Sequence, residues 1–96
     1  MTRIEISIAQ ASNLSVLIGE EFVKIERREG KPARCYAVTD DVRMLAGRVR
    51  SAAEIEANRP PEPSATLQAK QNTRIRSLRA LQRKLEQAAK ATGGAP

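Results

Sequence analysis

Histidine and tryptophan are missing from the 96 residues, cysteine occurs once, and the aromatic complement is one Phe and one Tyr. Without histidine the commonest general base and metal ligand is gone. A lone Cys35 cannot form an intrachain disulfide or a structural zinc site. No stretch approaches the roughly 18 apolar residues of a membrane span. The start, Met1-Thr2-Arg3-Ile4-Glu5, lacks the apolar run of a secretory leader. Phosphate-binding loops, dinucleotide fingerprints and nucleophile elbows are also absent. These absences favour a cytoplasmic protein that is not an enzyme and uses no cofactor or metal. The acidic pairs Glu20-Glu21 and Asp40-Asp41 read as solvated or helix-capping charges in preference to cation ligands.

What is present is positive charge, unevenly placed. Residues 59–96 hold eight basic and two acidic side chains, whereas residues 1–38 hold six and five and residues 39–58 three and four. The whole formal excess of +6 therefore sits in the last third. Such a segment suits a polyanion or an acidic protein face. A core built from Ile, Leu, Val and Ala in so short a chain buries little area, which favours a homodimer or a protein partner.

The pattern along the chain is α+β. Ile4, Ile6 and Ile8 alternate with polar residues, as in a half-buried strand. Ser12-Asn13 as caps, with Leu14, Leu17 and Ile18 before Gly19, predict a helix of barely two turns. Phe22–Arg28 and Ala33–Val38 read as a hairpin around Glu29-Gly30-Lys31-Pro32, with Gly30 supplying the positive φ. Thr39-Asp40-Asp41 caps a helix carrying Val42, Leu45, Val49 and Ala52, in which Gly47 marks close packing. That helix ends near Asn58, before Arg59-Pro60-Pro61-Glu62-Pro63. Ser64 caps the last helix, whose apolar stripe is Ile75, Leu78, Leu81, Leu85 and Ala88, with Arg74, Arg76, Arg79, Arg83 and Lys84 on other faces. The expected organisation is a body over residues 1–58, a linker over 59–64, a basic amphipathic helix over 65–92 and a disordered tail over 93–96. Cys35, in an alternating strand, is expected to be a buried small hydrophobe.

Two basic surfaces follow. Arg27, Arg28, Lys31 and Arg34 crowd the hairpin turn, where projecting cations suit phosphate contact. The C-terminal helix offers the second: its narrow stripe Ile75, Leu78, Leu81 and Leu85 is expected to grip a protein partner, as a coiled-coil seam or a helix laid in a groove, the alternative being that these leucines pack back on the body.

Ile6-Ser7-Ile8-Ala9-Gln10-Ala11-Ser12-Asn13-Leu14-Ser15-Val16-Leu17-Ile18 resembles the opening strand and helix of the Phd/YefM antitoxins. Val23-Lys24-Ile25-Glu26-Arg27-Arg28-Glu29-Gly30-Lys31-Pro32, running to Val38-Thr39-Asp40-Asp41, is similar to that family's hairpin and following helix. The likeness spans about half the chain, with Glu29 inserted in the turn and Gln10-Ala11 standing where the family carries an arginine. It implies a dimer that represses its own operator by binding double-stranded DNA and neutralises a toxin with its C-terminal segment. On that resemblance Arg3, Gln10 and Asn13 face DNA, with Arg27, Arg28 and Lys31 near phosphates. The competing readings are a small phage-type inhibitor or adaptor, in the manner of anti-CRISPR proteins, that blocks a nucleoprotein machine, and a coiled-coil assembly protein.

Overall fold

The computed structural model describes residues 1–92. The tail expected to be disordered, 93–96, lies outside the described residues. Seven elements follow in order: β1 (Thr2–Ile6), α1 (Ile8–Leu17), a 3-10 turn (Glu20–Phe22), β2 (Val23–Arg28), β3 (Lys31–Thr39), α2 (Val42–Ala57) and α3 (Ala65–Thr92). The fold is α+β, as the periodicities predict. The strands form an antiparallel sheet in the order β1-β3-β2, so the last strand in sequence is the central one.

Register decides which side chains face the helices. Ile4 and Ile6 pair with Ala37 and Cys35, and Val23 and Ile25 meet the same two residues from the other side. Cross-strand partners share a face, so these residues form the inner surface of the sheet. Cys35 is buried there, as expected. Arg3, Glu5, Lys24, Glu26, Arg34, Tyr36 and Val38 belong to the outer surface by the same parity.

The first helix begins earlier than its expected caps. Ser7 is the N-cap: its hydroxyl accepts from the Gln10 amide at 3.1 Å, while the Gln10 side chain accepts from the Ser7 amide at 2.9 Å. This reciprocal capping box satisfies two amides that the helix start would leave bare. It ends β1 at Ile6 and places Ile8 on the helix, 71% exposed. Ser12 and Asn13 consequently lie inside α1.

The hairpin loop is also shorter than expected. Glu29-Gly30 alone separates β2 from β3, with Gly30 at φ 69°, and a bulge lies between Glu26 and Arg28. Positive φ is strained for any residue with a Cβ. Pairing of β3 with β1 starts only at Cys35, so Pro32 lies where β3 has a single neighbour and its missing N–H is tolerated.

Asp41 caps α2, its carboxylate accepting from the Met44 amide at 3.0 Å. Val42, Leu45, Ala46, Val49, Ala53 and Glu56 form the buried stripe of that helix. Gly47 lies outside it, and a Cβ built there meets nothing within 4 Å. The expected close packing at Gly47 is therefore corrected: the glycine sits on an open face.

Past the proline segment, the Ser64 hydroxyl accepts from the Leu67 amide at 3.1 Å, and α3 returns antiparallel along α2. Its leucines close the core. Leu78, Leu81 and Leu85 are fully buried in one cluster with Leu14, Leu45, Val49 and Ala53. The small α+β body is followed by the long C-terminal helix, as expected, and a single core spans both. The result is a plate with extents of 43 × 43 × 18 Å.

Candidate nucleic-acid interface

The cations of the outer sheet surface are largely matched by carboxylates. The Arg3 guanidinium stacks over the Tyr36 ring at 4.3 Å and reaches Glu26 at 3.1 Å, linking β1 across β3 to β2. Arg34 on β3 lies 3.7 Å from Glu5 on β1. Its guanidinium is held above its ordinary pKa, first by a side-chain hydrogen bond with Tyr36 and then by the Glu5 carboxylate. A raised guanidinium pKa favours the charged form at every pH below the ordinary arginine range, so this cation does not titrate under working conditions. Lys24 completes the surface, which carries three cations against Glu5 and Glu26.

Beyond this lattice lies the hairpin tip. Arg27 and Lys31 are exposed there and make no ion pair among the described residues. Arg28 turns inward instead, donating from Nη2 to the Pro32 carbonyl at 3.2 Å, with its Nε buried and without a hydrogen-bond partner.

The residues expected at DNA thus fall on two sides of the sheet. Arg3 and Arg34 lie on its outer surface, Arg27, Arg28 and Lys31 at the hairpin end, and Gln10 and Asn13 on α1 in the helical layer. Gln10 is 6% exposed, and its Oε1 also accepts from Lys84 Nζ at 3.2 Å. Burial and these two bonds hold it as a capping residue, a correction to its expected place facing DNA. Asn13 is half-buried and lines a cleft between α1 and α3.

The expected partner-binding ridge is corrected in the same way. Leu78, Leu81 and Leu85 have no exposed surface, and Ile75 is half-buried. A partner could reach these leucines only by displacing α3, because they fill the space between that helix and the rest of the core.

Their burial aims the opposite side of α3 at solvent. Arg76, Arg83 and Lys90 are spaced by seven residues, close to two full turns, and all three are exposed. Arg79, half-buried, joins the same ridge and donates to Gln82 at 3.0 Å. At 1.5 Å per residue the row is about 21 Å long. Glu86 is the one carboxylate in α3, and it accepts from the Gln82 amide at 2.7 Å at the margin of the ridge. The basic excess of the C-terminal third is thus sorted. Arg74 and Lys84 turn toward the body, while Arg76, Arg79, Arg83 and Lys90 form the outer row that residue-by-residue reading did not assign to a site. The seven-residue spacing, offset from that of Leu78 and Leu85, was the available signal.

The cleft beside Asn13 is an open depression of about 760 Å³ between α1 and the N-terminal half of α3. Among the described residues there is no group of three or more His, Cys, Asp or Glu arranged to hold a metal ion. No described helix is long and apolar enough to cross a membrane. Comparisons with protein-family models, curated proteins and solved structures found no match.

Proposed function

We propose that this chain is a non-enzymatic DNA-binding protein of the autorepressor type, contacting the duplex backbone with the outer ridge of α3 and with the hairpin tip. The observation that carries the reading is the row Arg76, Arg79, Arg83 and Lys90, bordered by one already hydrogen-bonded carboxylate. Duplex DNA carries one negative charge per about 1.7 Å, so a straight row of cations about 21 Å long meets several phosphates at once. Arg27 and Lys31 add cations at the hairpin tip. The matched lattice around Tyr36 contributes structure more than affinity, since each arginine there is already paired.

The antitoxin part of the resemblance also asks for a protein partner. With the leucine ridge inside the core, that part has no preformed ridge to rest on, and DNA binding is the function the geometry supports best. Homodimerisation is proposed with it. The accessible surface is 6469 Å² for 10.5 kDa, against about 5,400 Å² for a compact monomer of that mass. A groove of about 460 Å³ containing Leu17, Met44 and Ile55, partly to well exposed, offers an apolar surface for a second copy.

The experiment is a titration of a labelled duplex at low and physiological salt, with sedimentation of the same sample. Binding that weakens steeply with salt by a dimeric species is expected. Absence of binding at low salt would refute the reading, and a monomer at binding concentrations would refute the dimer.

A further inference from the structure

The α1–α3 cleft, about 760 Å³, lies beside the α3 ridge and has a different chemistry. One wall is α1, presenting Ser12 and Asn13; the other is the first half of α3, presenting Thr66, Lys70 and Arg74. Small side chains at Ala9, Ala65 and Ala69 leave it open. No carboxylate lines it. The hydroxyls of Ser12 and Thr66, the amide of Asn13 and the ammonium of Lys70 make no hydrogen bond or ion pair among the described residues. Arg74 is engaged on one side only, through Nη1 with Glu56 at 3.3 Å, and its side chain is 42% exposed.

Hydroxyls, a side-chain amide and cations are the groups that proteins direct at phosphate oxygens. A cleft offering such donors, the unpaired Lys70 and one free edge of Arg74, with no carboxylate in its lining, is complementary to a phosphodiester chain. Its α3 wall, from Ala65 to Ser77, is about 18 Å long, enough to run beside roughly five nucleotides of one duplex strand. The first turns of α3, Ala65–Lys70, contribute no buried residue, so this wall stands clear of the body. Arg76, which starts the cationic ridge, and Ser77, which ends the cleft wall, are neighbours in sequence and point about 100° apart, so the two surfaces lie on adjoining faces of α3.

We propose that the α1–α3 cleft is a second phosphate-contacting site, which seats the sugar-phosphate backbone of one strand while the ridge follows the duplex. This inference rests on the DNA-binding reading above and adds to it a site on α1 and the N-terminal half of α3. Lys70 supplies charge, Ser12, Asn13 and Thr66 supply directed hydrogen bonds, and Arg74 keeps a free edge toward the strand.

The test uses the full chain and a fluorescein-labelled duplex of about 20 base pairs, several times the span of the cleft wall. Ala69→Glu puts a carboxylate on an exposed helical position inside the cleft, and Ala57→Glu puts the same charge on the exposed last residue of α2, which lines neither the cleft nor the groove offered to a second copy. Ala69→Glu is expected to weaken binding about tenfold or more and Ala57→Glu by less than about threefold, because fixed like charge repels most strongly at close range. Lys70→Ala should lower the salt slope by about 1 without altering helical content by circular dichroism. Ala69→Glu binding like Ala57→Glu, with an unchanged Lys70→Ala slope, overturns the cleft site. If Arg76→Ala with Arg83→Ala weakens binding in that case, the ridge reading survives alone. Failure of the unaltered protein to bind duplex defeats both. Competition separates the sources of phosphate and charge: displacement of the duplex by a mononucleotide or by poly-glutamate at matched charge concentration overturns the strand assignment, and resistance to both supports it.

Discussion

The Glu56 carboxylate, at the end of α2 and 3% exposed, lies 3.3 Å from the Arg74 guanidinium on α3 and 3.4 Å from that of Arg59 in the linker. Its carbonyl oxygen accepts from the buried Gln71 side chain at 3.0 Å. One residue thereby ties together the end of one helix, the proline-rich turn and the start of the buried part of the next. A buried carboxylate needs such partners, because an unpaired charge in the interior is costly.

Removing Arg74 should therefore be felt in folding. Arg74→Ala is expected to lower stability by about 2 kcal/mol, Arg59 and solvent making good part of the loss. Arg76→Ala, two residues away on the exposed ridge, should stay within about 0.5 kcal/mol of the unaltered protein. Urea unfolding of the two variants checks the contrast, and equal effects would remove Glu56 as the tie between the helices.

Gln10 separates a capping role from a DNA contact. Gln10→Ala takes away the acceptor used by the Ser7 amide and by Lys84, and a loss of about 1 kcal/mol follows from breaking a capping box. Duplex affinity, measured where the variant remains folded, should be unchanged within about twofold, since a lost base contact would cost about 1–3 kcal/mol. A selective loss of affinity without loss of stability would return Gln10 to the interface.

Gly47→Ala should stabilise the protein by about 1 kcal/mol, the difference in helix propensity, because a Cβ there meets nothing within 4 Å. Thermal unfolding monitored by circular dichroism reads the effect. Read at a protein concentration where the chain is monomeric, a lower midpoint would mean that a side chain of the same protomer packs on this glycine.

Leu81→Ala should cost about 2–5 kcal/mol, the range for truncating a fully buried leucine. Leu78→Asp with Leu81→Asp should abolish folding. A folded double variant that has lost only a binding partner would place these leucines outside the core.

Much of the architecture was legible because it rests on short-range rules. The alternation of Ile4 and Ile6, Gly30 in the hairpin, Asp41 and Ser64 as caps and the proline break all act within a few residues of where they are read. The start of α1 was misplaced because Ile8 extends the strand alternation, whereas Ser7 and Gln10, three apart, form the capping box that stops it. The fate of the α3 stripe could not be read locally. A narrow row of leucines looks the same whether it awaits a partner or closes on α2, and the difference depends on contacts made by residues some thirty positions earlier, such as Leu45 and Val49. Once that row is buried, the orientation of Arg76, Arg83 and Lys90 follows from helical geometry.

The salt dependence of duplex binding tests the central claim most directly. Each phosphate neutralised contributes about 0.9 to the slope of log K against log salt concentration. Arg76→Ala with Arg83→Ala is expected to reduce the magnitude of that slope by about 2, and to weaken binding similarly on unrelated sequences. A slope identical to that of the unaltered protein, with the double variant folded, would show that the outer row of α3 does not touch DNA.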